Sequence, residues 1–241
     1  MINFASLNFI AMKKAGLLGG MGPESTIAYY HDIVFGVQER IGKTFFPELS
    51  IESLNLFEIV ELCREKKYDE LVTLFKTSIE RLEATGADFA VLTANTSHIV
   101  FEQLQKVSPL PLISIVDATA NAARNRRLDR VGLLGTCFTM EEDFFKKPFI
   151  NRGIEVIVPQ KADIDYVSDK IYSELEYGIV KDSTRAEFQR IITDMKNNGG
   201  IEAVILGCTE LPLILNDENC PVPCLDTVKI HIDEIIDEII G

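Results

Sequence analysis

Two periodicities alternate along this chain. Short, nearly continuous apolar runs are separated by longer stretches in which apolar residues recur every three or four positions. The runs Ala15 to Gly19, Leu49 to Leu54, Asp88 to Thr93 and Ala203 to Leu206 predict strands, and after Pro109-Leu110-Pro111 the run Leu112 to Val116 predicts another. Between them, Ile27, Tyr30, Val34 and Val37 share one helical face, and Leu71, Leu74, Phe75, Ile79 and Leu82 form a core-facing stripe between Tyr68 and Ala84. Strand alternating with helix is the pattern of a parallel α/β sheet. At the C-terminus, Ile232, Ile235, Ile236 and Ile239 alternate with Asp233-Glu234 and Asp237-Glu238. That spacing predicts a terminal amphipathic helix, its charges solvated, docking back onto the first part of the chain.

The pattern then repeats. Gly16-Leu17-Leu18-Gly19 returns as Gly132-Leu133-Leu134-Gly135 at an offset of 116 (132 − 16). The strand ending at Ala94-Asn95-Thr96 returns as the one ending at Cys208-Thr209-Glu210 at an offset of 114, and Pro109-Leu110-Pro111 returns as Pro221-Val222-Pro223 at 112. Matches in the same order at slowly shrinking offsets mark two copies of one unit. The expected fold is therefore α/β, with two pseudo-symmetric parallel-sheet domains and the active site in the cleft between them. The domains are assigned as residues 1–115 with 226–241, and residues 116–225. Ligands of such sheets gather outside the carboxyl ends of the strands.

Composition narrows the chemistry. A chain of 241 residues with 46% hydrophobic content has ample material for packed cores. A formal charge of −13 gives no basic face for nucleic acid, and no apolar stretch reaches the length of about 18 residues that a membrane span needs. The five cysteines are odd in number, which fits a reduced, cytoplasmic setting better than a disulfide framework. Cys220 and Cys224 lack a second Cys or His pair nearby, so no metal site is expected. Met1 to Ala11 carry no basic segment ahead of their apolar part and are read as a dispensable extension before Met12.

Candidate chemistry lies at the strand ends. Cys208 closes an apolar strand, where a thiol is either a nucleophile or base or a small core residue. Gly19-Gly20-Met21-Gly22-Pro23 is a glycine turn before a helix, without the Gly-Lys-Ser/Thr ending of a phosphate loop. Two copies facing each other bring equivalent residues to opposite sides of a small molecule, the geometry for removing a proton from one face of a carbon and returning one to the other. The residue equivalent to Cys208, however, is Ala94.

At these motifs the chain resembles the aspartate/glutamate racemase family, the cofactor-independent amino-acid racemases. The resemblance rests on Gly19 to Pro23, Asn95-Thr96-x-His98, Val116-Asp117-Ala118-Thr119, Leu134-Gly135-Thr136-x-x-Thr139 and Gly207-Cys208-Thr209-Glu210-Leu211. It implies two α/β domains, an amino-acid substrate in the cleft, no pyridoxal phosphate or other cofactor, and a homodimer. By motif the second catalytic thiol is Cys208, and the first falls at Ala94. Asn95, Thr96 and Thr209 are implied carboxylate and amino anchors, with Met21, Thr136 and Thr139 similarly placed. A basic residue grips the side-chain carboxylate in aspartate-specific members; Lys181 is the nearest match and Arg185 the second, and an acidic substrate is preferred only if one of them reaches the cleft.

The chemistry itself asks for donors aimed at the substrate carboxylate, which Asn95, Thr96 and Thr209 supply. A strand end facing backbone N–H groups is expected to raise the thiolate fraction of Cys208. Glu210 either positions the substrate ammonium, orients a partner, or caps a helix. Ala94 exchanges no proton, and three explanations stay open. A Cys or Thr has been replaced there; or His98, Thr93 or water supplies the second proton; or the reaction is another one, as in the single-cysteine arylmalonate decarboxylases. A catalytically inactive binding protein for an acidic amino acid is the alternative from outside enzymology.

Overall fold

The computed structural model describes residues 12–42 and 45–241; Met1 to Ala11, read above as an extension, lie outside the described residues. The first half runs β1 (Ala15–Gly19), α1 (Pro23–Ile41), β2 (Leu49–Ser53), α2 (Leu56–Arg64), α3 (Tyr68–Ala84), β3 (Phe89–Leu92), α4 (Phe101–Val107), β4 (Leu112–Ile113) and α5 (Ile115–Asn125). The second runs β5 (Arg130–Leu134), α6 (Cys137–Glu141), α7 (Asp143–Ile150), β6 (Glu155–Ile157), α8 (Lys161–Ser173), α9 (Asp182–Gly199), β7 (Ala203–Leu206), β8 (Cys224–Asp226) and α10 (Thr227–Ile240).

All strands pair in parallel, in the orders β2-β1-β3-β4 and β6-β5-β7-β8, so the second sheet is the first with every strand advanced by four. The registers agree as well. Leu18 sits beside Leu92 as Leu134 sits beside Leu206, and Ala90 beside Leu112 as Val204 beside Cys224. These equivalences keep the sequence offsets of 116, 114 and 112. The inner strands β1, β3 and β7 are buried along their whole length, which is why they read as unbroken apolar runs.

The last helix of each half packs into the other half. Ile115, Val116, Ala120 and Ala123 of α5 join the core of Leu133, Phe145 and Leu225. Ile232, Ile235, Ile236 and Ile239 of α10 join Leu17, Tyr29, Ile33 and Val91. The two exchanged helices also pack on each other. Separating the halves would expose both apolar faces, at a cost of roughly 1.5–3 kcal/mol for each large aliphatic side chain.

Two predicted elements differ from the sequence expectation, and several further elements, α2 and α6 to α9 among them, are not anticipated by it. The fourth strand stops at Ile113, because the Ser114 hydroxyl accepts the backbone N–H of Asp117 at 3.1 Å and starts a helix there. Ile115 and Val116 thus begin α5. On α1 the buried face is Tyr29, Ile33, Val34 and Val37, whereas Ile27 and Tyr30 are 61% and 51% exposed. Both stripes have helical spacing, and only the position of α10 selects between them. Helix α2, absent from the sequence reading, is capped by the Asn55 side chain accepting the N–H of Phe57 at 3.1 Å.

Candidate active site

The carboxyl ends of both sheets open onto one cavity of about 930 Å³. Its floor is made by the strand-end residues: Met21 after β1, Ala94, Asn95 and Thr96 after β3, Thr136 after β5, and Cys208, Thr209 and Glu210 after β7. Two glycines allow these turns. At Gly20, φ is +79° and a Cβ would lie 2.3 Å from the Leu54 carbonyl oxygen; at Gly207 it would lie 2.8 Å from that of Leu134.

Cys208 is buried and donates its Sγ–H to Glu210 Oε2 at 2.8 Å, while the Thr209 hydroxyl donates to Glu210 Oε1 at 2.7 Å. Burial first, then the Glu210 charge and this hydrogen bond, push the thiol well above its usual range. This corrects the expectation of an enriched thiolate: without a ligand Cys208 is a thiol, and the carboxylate two residues on outweighs the backbone N–H that favours the anion.

Asn95 is oriented by its neighbours. The Thr227 hydroxyl donates to the Leu206 carbonyl at 2.9 Å, so its lone pair accepts from Asn95 Nδ2 at 3.1 Å. Among the described residues, Asn95 Oδ1 is left buried without a partner. That oxygen is closed off from the cavity, so Asn95 is fixed in place by Thr227 at the floor of the site. Hydroxyls gather across the cleft: Thr96 Oγ1 lies 3.4 Å from Thr136 Oγ1, which lies 3.2 Å from Thr139 Oγ1. Tyr172 also hydrogen-bonds Thr136, and burial foremost, followed by the nearby Cys137 and Cys208, holds its phenol protonated. Such donors suit the oxygens of a carboxylate or of the enolate formed from it.

A family model described as Asp/Glu/Hydantoin racemase matches residues 18–235. The chain belongs to this family. Among racemases it is similar to the broad specificity amino-acid racemase RacX of Bacillus subtilis, 25% identical over 215 residues that cover 88% of this chain and 92% of that protein. The solved structure of an aspartate racemase homologue from Pyrococcus horikoshii is 35% identical, with a TM-score of 0.82 over 94% of this chain and 98% of that one. The aspartate racemase of Picrophilus torridus shares the fold at 22% identity, with a TM-score of 0.71 over 93% of each chain.

Not every residue carried over from the racemase resemblance reaches the cleft. Thr139 is fully buried behind Thr136 and does not line the cavity. Lys181 lies outside it as well, its ammonium 3.1 Å from the buried Glu174 carboxylate. Arg185 is held by Asp182 and by the Ile214 carbonyl. His98 has both nitrogens engaged: Nδ1 donates to the Ala94 carbonyl at 2.9 Å and Nε2 accepts the Ile115 N–H at 3.3 Å. Burial lowers its pKa to about 4, and its ring stacks on Phe101. Thr93 is fully buried, with its hydroxyl on the Leu18 carbonyl. Neither is a free proton carrier for the Ala94 side. Sequence reasoning missed the walls supplied by Phe57, Val60 and Arg64 of α2 and by Phe138, Tyr172 and Tyr177. The cap Asn55 before an apolar-polar alternation was the signal available for α2.

Among the described residues no helix is long and apolar enough to cross a membrane, and no group of three or more His, Cys, Asp or Glu could hold a metal ion.

Proposed function

We propose that this chain deprotonates and reprotonates the α-carbon of an amino acid without a cofactor, with Cys208 as the proton carrier on one face. The observation that carries this is the Cys208 thiol on the cleft wall, hydrogen-bonded to Glu210 and facing the half that presents Ala94. The substrate ammonium sits beside Glu210, and its carboxylate meets the hydroxyls of Thr96 and Thr136, while the Thr209 hydroxyl steadies Glu210. Burial and then the Glu210 charge hold the thiol up, and a cation beside Glu210 offsets the second of these, so substrate binding shifts Cys208 toward the thiolate. The thiol proton leaves toward Glu210 and solvent. The thiolate then takes the α-proton, and charge spreads onto the carboxylate under the hydroxyl donors.

Ala94 holds no exchangeable proton. The enzyme therefore exchanges the α-proton of one enantiomer with solvent faster than it inverts the centre, and inversion draws its proton from water on the Ala94 side. The relatives reported above do not favour the decarboxylase alternative. NMR of each enantiomer in deuterium oxide tests the proposal: Cys208→Ala should lose about 10²- to 10⁴-fold in α-deuterium uptake, and uptake unchanged in that variant sinks it. The homodimer implied by the resemblance belongs to the same proposal; a monomer in sedimentation removes it.

A further inference from the structure

The walls above the strand ends have a chemistry of their own. An acidic substrate needs a cation free to meet its second carboxylate. Among the described residues the cavity wall carries one cation, Arg64, and its guanidinium is already 3.0 Å from Glu61 at the exposed end of α2. Against it stand three carboxylates lining the same cavity, Glu24, Glu176 and Glu210. Burial, then the charge of Glu210, holds the Glu176 carboxyl above its usual range, so the surroundings of Glu176 disfavour a further anion. Lys181 and Arg185, on which an acidic preference depended, are committed elsewhere.

What the walls do offer is apolar surface. Phe57, Tyr177 and Leu213 are 82%, 75% and 55% exposed, and all three border the same opening. Single exposed apolar residues are ordinary, whereas three converging on one cavity mouth mark a surface that a ligand covers. Val60 and Phe138 continue it inward from opposite halves. The volume of about 930 Å³ lies near the top of the roughly 300–1,000 Å³ range of small-molecule sites, far more room than an aspartate side chain fills.

We propose that the side-chain part of this cleft takes a large apolar or aromatic side chain and turns away a second carboxylate. This rests on the reading of an amino-acid substrate at the strand ends. Apolar contact with α2 on one side and the Phe138 to Tyr177 wall on the other supplies the affinity, and Glu176 repels the second carboxylate of aspartate and glutamate.

Isothermal titration and α-deuterium uptake with leucine, methionine, phenylalanine, lysine, aspartate and glutamate test it together. The expected result is leucine, methionine or phenylalanine preferred over aspartate and glutamate by about tenfold or more in both readouts. Phe57→Ala should lower that preference by weakening the apolar ligands, and Glu176→Gln by admitting the acidic ones. Aspartate or glutamate preferred overturns the inference and leaves the racemase reading standing, as does lysine preferred. Apolar amino acids that bind without any α-exchange support the inference and overturn the reaction instead. No binding by any of the six overturns both.

Discussion

The two halves follow one path into the cleft and part company over four residues. Strands β3 and β7 occupy equivalent places, and Thr93-Ala94-Asn95-Thr96 follows the first where Gly207-Cys208-Thr209-Glu210 follows the second. The backbone hydrogen bond is shared, Thr93 N–H to the Leu18 carbonyl at 3.0 Å and Gly207 N–H to that of Leu134 at 2.7 Å. The side chains are not. The second half presents a thiol, a hydroxyl and a carboxylate in turn; the first presents a methyl group, an amide and a hydroxyl. The braces differ too: the Ala94 carbonyl accepts both Ser97 Oγ at 2.7 Å and His98 Nδ1 at 2.9 Å, whereas that of Cys208 accepts the Leu211 N–H at 3.1 Å. The repeated scaffold thus keeps its geometry on both sides and a thiol on one.

The widest break in that comparison is Ala94→Cys. The doubly held carbonyl fixes the backbone, so a thiol built there points from a set position. If the second proton carrier is all that is missing, racemisation in this variant rises by about 10²- to 10⁴-fold over the parent, read by chiral chromatography, while α-deuterium uptake of the first enantiomer changes little. A variant that folds, by circular dichroism, and still exchanges only one enantiomer would mean that the first half has lost more than its thiol.

Much of this asymmetry was legible in the sequence, and the reasons are physical. The repeats lie at inner strands and at turns where a Cβ would strike backbone, so few residues fit and the pattern survives as text. The alignment of Ala94 with Cys208 follows from them directly. Longer-range choices were not legible. Either stripe of α1 could have been buried until α10 chose Tyr29 and Ile33 over Ile27 and Tyr30. Ser114 turned β-branched residues into a helix start. Lys181 lay at a plausible distance along the chain, but the buried Glu174 claims its charge, and no local pattern announces such a pair. The thiol pKa of Cys208 was misjudged for a related reason: helix-start N–H groups are a local feature, whereas desolvation depends on both halves closing over the group.

Glu210→Gln sharpens the comparison from the other side. It keeps a hydrogen-bonding partner for Cys208 and removes the charge. The thiol pKa falls, so the rising limb of α-exchange against pH, which thiolate formation sets, moves to lower pH. The same change removes a charged partner from the substrate ammonium and raises KM by roughly ten- to a hundredfold. A limb that stays in place would show that Glu210 anchors the ammonium without tuning the thiol.

The smallest expected effect concerns stability. Of the three histidines, His98 and His231 are buried, and none lies between residues 116 and 225. Burial lowers His98 to about 4 and His231 to about 3, the latter pushed further by His98, whose ring centroid is 6.4 Å away. An unfolded histidine titrates near 6.5, so below that pH the unfolded chain binds protons that the folded chain refuses. The stabilising contribution is complete above about pH 6.5 and is lost as pH falls toward 4, at roughly 1–2 kcal/mol for each ring by pH 5. His98 braces the Ala94 turn, and His231 joins Tyr29 to the Ile113 carbonyl, so the loss falls on the first sheet and its borrowed helix. Hydrogen exchange at pH 5 against pH 7 should therefore show β1, β3 and α10 losing protection before β5 and β7. His98→Gln, which keeps an amide donor and acceptor and does not titrate, should reduce that difference. Equal loss of protection in both sheets would mean that acid acts through the surface carboxylates, which the two halves share.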